Sequence, residues 1–369
     1  MKKRKLGLAL SLVLAAGTLL GACGKTTDNN NATNKGTKNA KPSFTVGMVT
    51  DVGGIDDKSF NQSAWKGLQE FGADNNMQKG TKGFDYLQSQ SDADYSTNLN
   101  TLSRQGFSLV YGIGFMMQQA VDDIAKQQTK TKFAIIDAEV KEPNVASVLF
   151  KENEGSFLAG VVAGMVTKTN KIGFIGGMES AVIERFEAGF RAGVQAANPK
   201  ATVDVQYAAS FTSAEKGQAI ASKMYSSGED VIFAAAGGTG TGMFKEARDR
   251  KAKDPSKDFW TIGVDSDQTA EGVVTAGGKQ VNVVLTSSMK RVDNAVKDIS
   301  TKAMKGNFPG GQTTTYGLAE DGVGLAPLND GMPNKDAIQK AVSDWQDKIK
   351  SGSVKVPATR AELKTFSAK

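Results

Sequence analysis

From Phe44 onward the chain alternates short β-branched or aromatic runs with longer segments whose apolar positions recur every three or four residues. The runs predict strands over 44–50, 107–112, 132–137, 171–176, 203–208, 230–235, 260–265 and 282–286. Helical periodicity predicts amphipathic helices over 181–197, 213–226 and 290–304. Most of the strands are apolar throughout, the pattern of strands covered on both faces. Alternation of this kind builds right-handed βαβ units, so the expected class is α/β with doubly wound parallel sheets. The pattern starts at "FTVGMVT" and restarts at "KIGFIGG", which implies two similar lobes. Between them "ENEGSFLAGVVAGMV" (152–166) reads as a small-residue helix packed tightly at a lobe junction. The expected division is 43–165 plus 283–316 for lobe 1, and 166–282 plus 317–369 for lobe 2.

The first 43 residues do not fit this pattern. Lys2, Lys3, Arg4 and Lys5 precede an apolar run from Leu6 to Leu20, and small residues lead to Cys23. This is the layout of a secretory signal over 1–22. Leu20-Gly21-Ala22-Cys23 resembles a bacterial lipobox, in which the cysteine is lipidated and becomes the membrane tether. An anchor with two or more acyl chains holds stably where a single chain is marginal. Residues 23–42 are rich in Asn, Thr and Lys and nearly free of apolar side chains, so they predict a disordered spacer. The expected location is the extracytoplasmic face of a bacterial cell membrane.

Charge and composition remove several functions. The formal charge is +6, but loss of the four basic leader residues lowers the 45 basic side chains to 41 against 39 acidic. That balance gives no reason to expect nucleic-acid binding. Cys23 is the only cysteine, so the rest of the chain offers neither a disulfide nor a thiolate metal site. The chain has no histidine, which removes imidazole bases, Ser-His-Asp arrangements and most zinc sites. No enzyme activity, cofactor or metal is expected.

In open parallel sheets ligands bind beyond the carboxyl ends of the strands. Those ends carry Asp51, Gly112-Ile113-Gly114-Phe115, Asp137, Gly176-Gly177-Met178, Phe211, Gly237-Gly238, Asp265 and Lys290. Carboxylates accept from N–H and hydroxyl groups, glycines admit a ligand to the backbone, and aromatic faces stack on planar rings. Each acidic residue has an ordinary alternative as a helix cap, but three in equivalent places favour a site. Phe60 shares a stripe with Ala64, Leu68 and Phe71 and fits core or cleft equally. Phe211 precedes Thr212 and Glu215, a capping-box pattern, and has no local apolar partner. Phe186 lies in a stripe with Val182, Phe190 and Gly193 and reads as core. Gly237 and Gly242 have the spacing of a phosphate loop, but Met243 and Phe244 stand where Lys and Ser/Thr would be required, which argues for a neutral ligand.

The lipobox together with "VGMVTDVGGIDDKSFNQSAWKGL", "EGSFLAGVVAGM", "IGFIGGM…FEAGFRAGV", "SFTSAEKGQAIA", "AAAGGTGTG" and "IGVDSDQ" closely resembles the basic membrane protein family. These are bacterial lipoproteins similar to the purine nucleoside receptor of ABC importers. The resemblance implies a type I periplasmic-binding-protein fold, two lobes joined by three hinge strands with the ligand between them. It implies that Asp51 and Asp137 bond the base, although Asp51 stands where some relatives carry Asn. It further implies that Phe60 and Phe211 sandwich the base and that Gly238, Asp265 and Lys290 hold the ribose. A monomer delivering nucleosides to a permease and its ATPase is the leading expectation. A same-fold receptor for a sugar or autoinducer, a carboxylate-based hydrolase and a host-interaction lipoprotein are the alternatives.

Overall fold

The computed structural model describes residues 44–367. The signal segment 1–22, Cys23 and the spacer 23–42 lie outside the described residues. Fourteen strands and ten helices form two six-stranded sheets and one hairpin among the described residues.

The first sheet contains β1 (Val46–Thr50), β2 (Phe84–Gln88), β3 (Leu109–Ile113), β4 (Lys132–Ile136), β5 (Val145–Phe150) and β13 (Thr313–Tyr316). Its order is β13-β5-β4-β3-β1-β2, and every pairing is parallel. The second contains β6 (Lys171–Gly176), β7 (Thr202–Tyr207), β8 (Val231–Ala235), β9 (Trp260–Asp265), β12 (Val284–Lys290) and β14 (Val323–Leu325). Its order is β14-β12-β9-β8-β6-β7, parallel except for β14 against β12. The hairpin pairs β10 (Val273–Ala276) with β11 (Lys279–Asn282). Each sheet repeats one winding, and the order reverses between β1 and β3 and again between β6 and β8. Those switch points are where such sheets bind ligands.

Helices cover both faces, which accounts for the unbroken burial of β1, β3 and β8. On the first sheet lie α1 (Phe60–Asp74), α2 (Tyr95–Arg104), α3 (Gln118–Gln127) and α8 (Val292–Met304), with α8 against α1. On the second lie α4 (Glu152–Val166), α5 (Ala181–Ala197), α6 (Ala214–Ser227), α7 (Gly240–Lys253) and α9 (Lys335–Lys350). The short α10 (Arg360–Leu363) packs on α5.

The chain passes between the sheets three times: from β5 to α4, from β12 to α8, and from β13 to β14. These passages are tied together, because Lys151 N–H donates to the Tyr316 carbonyl at 2.9 Å and Arg291 N–H to the Gly322 carbonyl at 2.8 Å. Two boundaries differ from those expected. The return to the first lobe was placed at 283, but β12 pairs with β9 in the second sheet, so the passage follows Lys290. The helix α4 was placed in lobe 1, yet it packs on α5, α9, β12 and β14. Its small side chains suit a helix enclosed on several sides, and 13 of its 15 residues are buried.

Candidate functional site

A cleft of about 540 Å³, including the solvent at its mouth, opens between the carboxyl ends of the two sheets. From the first lobe it is lined by Asp51, Phe60, Phe115 and Asp137 among others, and from the second by Phe186, Phe211, Gly237 and Asp265, with Lys290 at a passage between them. Six of the seven expected ligand residues are brought together here. Gly238 is the exception. It sits in the tight turn Gly237–Thr239, where its carbonyl accepts from Thr241 Oγ1 at 2.7 Å, and Gly237 is the residue that lines the cleft.

None of the three strand-end carboxylates caps a helix. That work is done by Asp57, which accepts backbone N–H bonds from Ser59 at 2.9 Å, Asn61 at 2.8 Å and Gln62 at 3.1 Å, and so fixes the start of α1. Asp51 is thereby left to the cleft. Its Oδ1 accepts from Gly53 N–H at 2.8 Å and from Asn61 Nδ2 at 2.7 Å. Burial raises its pKa to about 6 against the lowering effect of these two donors.

Asp137 and Asp265 occupy equivalent places in the two lobes, and both adopt a left-handed backbone with φ of 71° and 64°. Asp tolerates that region better than most residues, and the turn brings each carboxylate out at its sheet end. Burial pushes the Asp265 pKa to about 7, despite Lys290 nearby and a hydrogen bond from Ser59 Oγ at 2.5 Å.

Lys290 ends β12 and is buried to 1% exposure. Its Nζ lies 2.5 Å from Asp137 Oδ2 and 3.0 Å from Glu152 Oε1, and Glu152 in turn meets Arg185 Nε at 2.5 Å. Burial works against the ammonium, but Asp137, Glu152 and Asp265 outweigh it and hold its pKa above the ordinary lysine value. The same ammonium lies 5.0 Å from the Phe60 ring centre, 5.1 Å from Phe150 and 6.0 Å from Phe186. Burial raises the Asp137 pKa against the pull of Lys290, while Lys290 and Arg185 overcome burial and hold Glu152 below the ordinary carboxylate value, so the cluster is a base to the cleft in which acids and cations are paired.

Phe211 is placed by the glycine-rich turn opposite. Thr239 N–H donates to the Phe211 carbonyl at 3.1 Å, and Thr239 Oγ1 bonds the Ser210 carbonyl at 3.0 Å and the Ser213 N–H at 3.0 Å. Ser213 rather than Thr212 caps α6, accepting from Lys216 N–H at 3.3 Å. The Phe211 ring lies directly over Gly177, where any Cβ would collide with it. Its partner comes from the other lobe: Phe115 meets it edge-on, with ring centres 6.2 Å apart.

Among the described residues no cluster of acidic side chains could hold a metal ion. No helix there is long and apolar enough to cross a membrane. The arrangement offers acceptors, aromatic faces and one cation paired with two acids.

Residues 44–360 match the family described as ABC transporter substrate-binding protein PnrA-like. The chain belongs to this family. It is 56% identical over 359 residues to the CD4+ T-cell-stimulating antigen of Listeria monocytogenes, covering 97% of this chain and 99% of that one. It is 45% identical over 361 residues to the ABC transporter nucleoside-binding protein BmpA of Lactococcus lactis, covering 97% of this chain and all of the relative. A crystal structure of an ABC transporter system solute-binding protein from Aeropyrum pernix K1 superposes with a TM-score of 0.74 at 26% identity, covering 87% of this chain and 96% of that one. The expected family and fold class are shown by these matches. As a PnrA-like protein the chain is a substrate-binding component of an ABC transporter and not an enzyme.

Within this PnrA-like cleft, sequence reasoning missed Asn61 and the cleft-facing side of α5, and it placed Phe115 at a strand end without giving it a ligand role. Phe186, which the sequence places in the core, has a second role. It is 3% exposed and packs edge-on to Phe233 at 6.2 Å, but with Val182 and Ile183 it also lines the cleft. The available signal was positional, since α5 begins just past the end of β6 at the switch point, so its first turns face whatever binds there.

Proposed function

We propose that this chain is a lipid-anchored receptor that binds purine nucleosides between its lobes and delivers them to an ABC permease and its ATPase. The observation that carries this reading is the meeting of aromatic rings from both lobes, Phe60, Phe115 and Phe211, with three buried carboxylates around one cleft. A planar ring suits the aromatic faces. Asp51 and Asp137 are the acceptors for base N–H groups. Asp265, Gly238 and Lys290 hold the ribose, Gly238 through the backbone of the turn it shares with Gly237. An ammonium has three donors, and Asp137 and Glu152 engage two of them, so the third serves a hydroxyl. The name of the Lactococcus lactis relative supports nucleosides as the class. Cys23 is proposed as the lipidated tether and the receptor as a monomer.

Titration calorimetry with inosine, guanosine, adenosine, uridine, ribose and hypoxanthine tests the ligand. Purine nucleosides are expected to bind tightest. Ribose binding with no response to inosine would overturn the nucleoside reading in favour of a sugar receptor. For the anchor, Cys23→Ser is expected to release soluble protein that binds nucleoside normally, and continued partitioning into detergent would refute the tether.

A further inference from the structure

Asn61 lies on the first turn of α1, buried to 1% exposure, and it lines the cleft. Its amide nitrogen donates twice, to Asp51 Oδ1 at 2.7 Å and to Asp57 Oδ2 at 3.0 Å. Both partners are carboxylates, which when ionised can only accept, so the amide cannot turn over without setting oxygen against oxygen. Its own Oδ1 is consequently buried with no hydrogen-bond partner. A buried orphan carbonyl is costly, and here its orientation is imposed by the two acids. The effect falls on Asp51. Gly53 N–H and Asn61 Nδ2 occupy Oδ1, while Oδ2 faces Gly114, a residue of the cleft wall, and receives no hydrogen bond among the described residues.

We infer that Asn61 is a positioning residue for recognition: it fixes Asp51 as an ionised acceptor with Oδ2 turned to the ligand, favouring a ring edge that offers N–H donors. This rests on the nucleoside reading. The charged and titratable groups acting on Asp51 are Asp57 on its own loop and Asp137 after β4, both opposing its ionisation, and the Tyr95 hydroxyl at the start of α2. The two hydrogen bonds are what lower its pKa, and Asn61 supplies one of them. Removing that donor weakens the ionised form and releases the carboxylate to rotate.

The test compares wild type, Asn61→Ala, Asp51→Asn and the double variant. The Asp51 carboxyl is titrated by carbon NMR in ligand-free protein, its signal identified by loss in Asp51→Asn. Inosine affinity is followed from pH 5 to 8.5. In Asn61→Ala the Asp51 midpoint is expected to rise by about one pH unit, and the acid limb of inosine binding to rise with it. Asp265 titrates in the same range, so the decisive comparison is the Asp51→Asn background, where adding Asn61→Ala leaves the profile unmoved. Asn61→Ser, which keeps a hydroxyl donor on the same turn, is expected to fall between wild type and Asn61→Ala, and serves if the alanine variant does not fold. An Asp51 midpoint unchanged in the Asn61 variants, with affinity lowered equally at every pH, would show a purely structural role and overturn the inference. An inosine titration silent in wild type overturns the nucleoside reading, and the NMR midpoints then decide the positioning role by themselves.

Discussion

Asp265 combines a left-handed backbone, φ 64°, with a carboxylate buried to 6% exposure. Its pKa rises from 3.8 to about 7, so the native state holds this proton more tightly than the unfolded chain does. The stability it contributes is therefore complete below about pH 4 and is lost as pH rises through about 7. Asp265→Asn keeps a side chain that tolerates left-handed geometry and an oxygen that can accept from Ser59. It is expected to melt above wild type at pH 8 and to lose that advantage by pH 5, while binding nucleoside more weakly. A constant offset in Tm across that range would contradict the charge argument. Phe211→Ala is expected to cost about 1–3 kcal/mol of binding by calorimetry with little change in Tm. Phe186→Ala is expected to cost about 3–5 kcal/mol of stability and, because Phe186 also lines the cleft, to weaken binding too. Asp51, Asp137 and Asp265 were legible in sequence because a polar residue ending an apolar strand stands out. Asn61 and Phe186 were not, since a helical stripe looks the same whether it faces a core or a cleft.

Strand β12 shows how the same ambiguity acts on a whole element. The sequence predicts a strand ending near 286, because Ser287 and Ser288 interrupt the apolar run. In the fold both are buried in the middle of the second sheet, with Ser287 Oγ accepting from Gln268 N–H at 3.0 Å, and β12 continues to Lys290. Buried and satisfied as it is, Ser287 reads as surface until its partner is known, whereas Ser288 Oγ is buried with no hydrogen-bond partner among the described residues. Strands β2, β5, β13 and β14 and the hairpin β10–β11 also went unpredicted. Most of these are short or half-exposed, and β2, β13 and β14 are edge strands, where the period-two signal is weakest. The long helices α4 and α5 were predicted to the residue because glycine and apolar spacing persist over four turns. The extended reach of β12 places Lys290 against acids from both lobes, Asp137 after β4 and Glu152 at the start of α4. Lys290→Met leaves those carboxylates with Arg185 as the nearest remaining cation, and a buried charge stripped of its partner costs about 3–5 kcal/mol. Chemical denaturation is expected to show a loss of that size at pH 7.5. A loss below about 1 kcal/mol would mean that the cluster is solvated and behaves like a surface pair.

At the scale of the whole molecule, the lobes meet through direct hydrogen bonds between them. Ser59 Oγ reaches Asp265, Ser266 Oγ donates to the Ser59 carbonyl at 3.1 Å, and Gln268 Nε2 donates to the Lys58 carbonyl at 2.9 Å. The arm that makes the last contact is preset within the second lobe. Gln268 Oε1 accepts from Val264 N–H at 2.8 Å, and Gly263 is bare because a Cβ there would strike both Ser287 Oγ and Gln268 Oε1. Lys58, in turn, takes a left-handed backbone, φ 60°, in the loop that presents its carbonyl. These contacts exist only with the lobes together, so they favour closure whether or not a ligand is bound. A ligand then shifts the equilibrium by its own differential affinity for the closed form. Gln268→Glu isolates this clasp: it keeps an acceptor for Val264 N–H but sets a carboxylate oxygen against the Lys58 carbonyl. Loss of the hydrogen bond alone is worth about 1 kcal/mol, and the buried, opposed carboxylate adds to it, so the open-to-closed ratio shifts by at least about fivefold. Solution scattering of the ligand-free variant is expected to give a larger radius of gyration than wild type, and stopped-flow release of inosine is expected to quicken by at least about fivefold. Wild type and variant should converge on one radius at saturating inosine, because ligand contacts from both lobes still reward closure. An unchanged ligand-free radius together with an unchanged release rate would show that the 58–59 and 264–268 contacts follow closure without driving it.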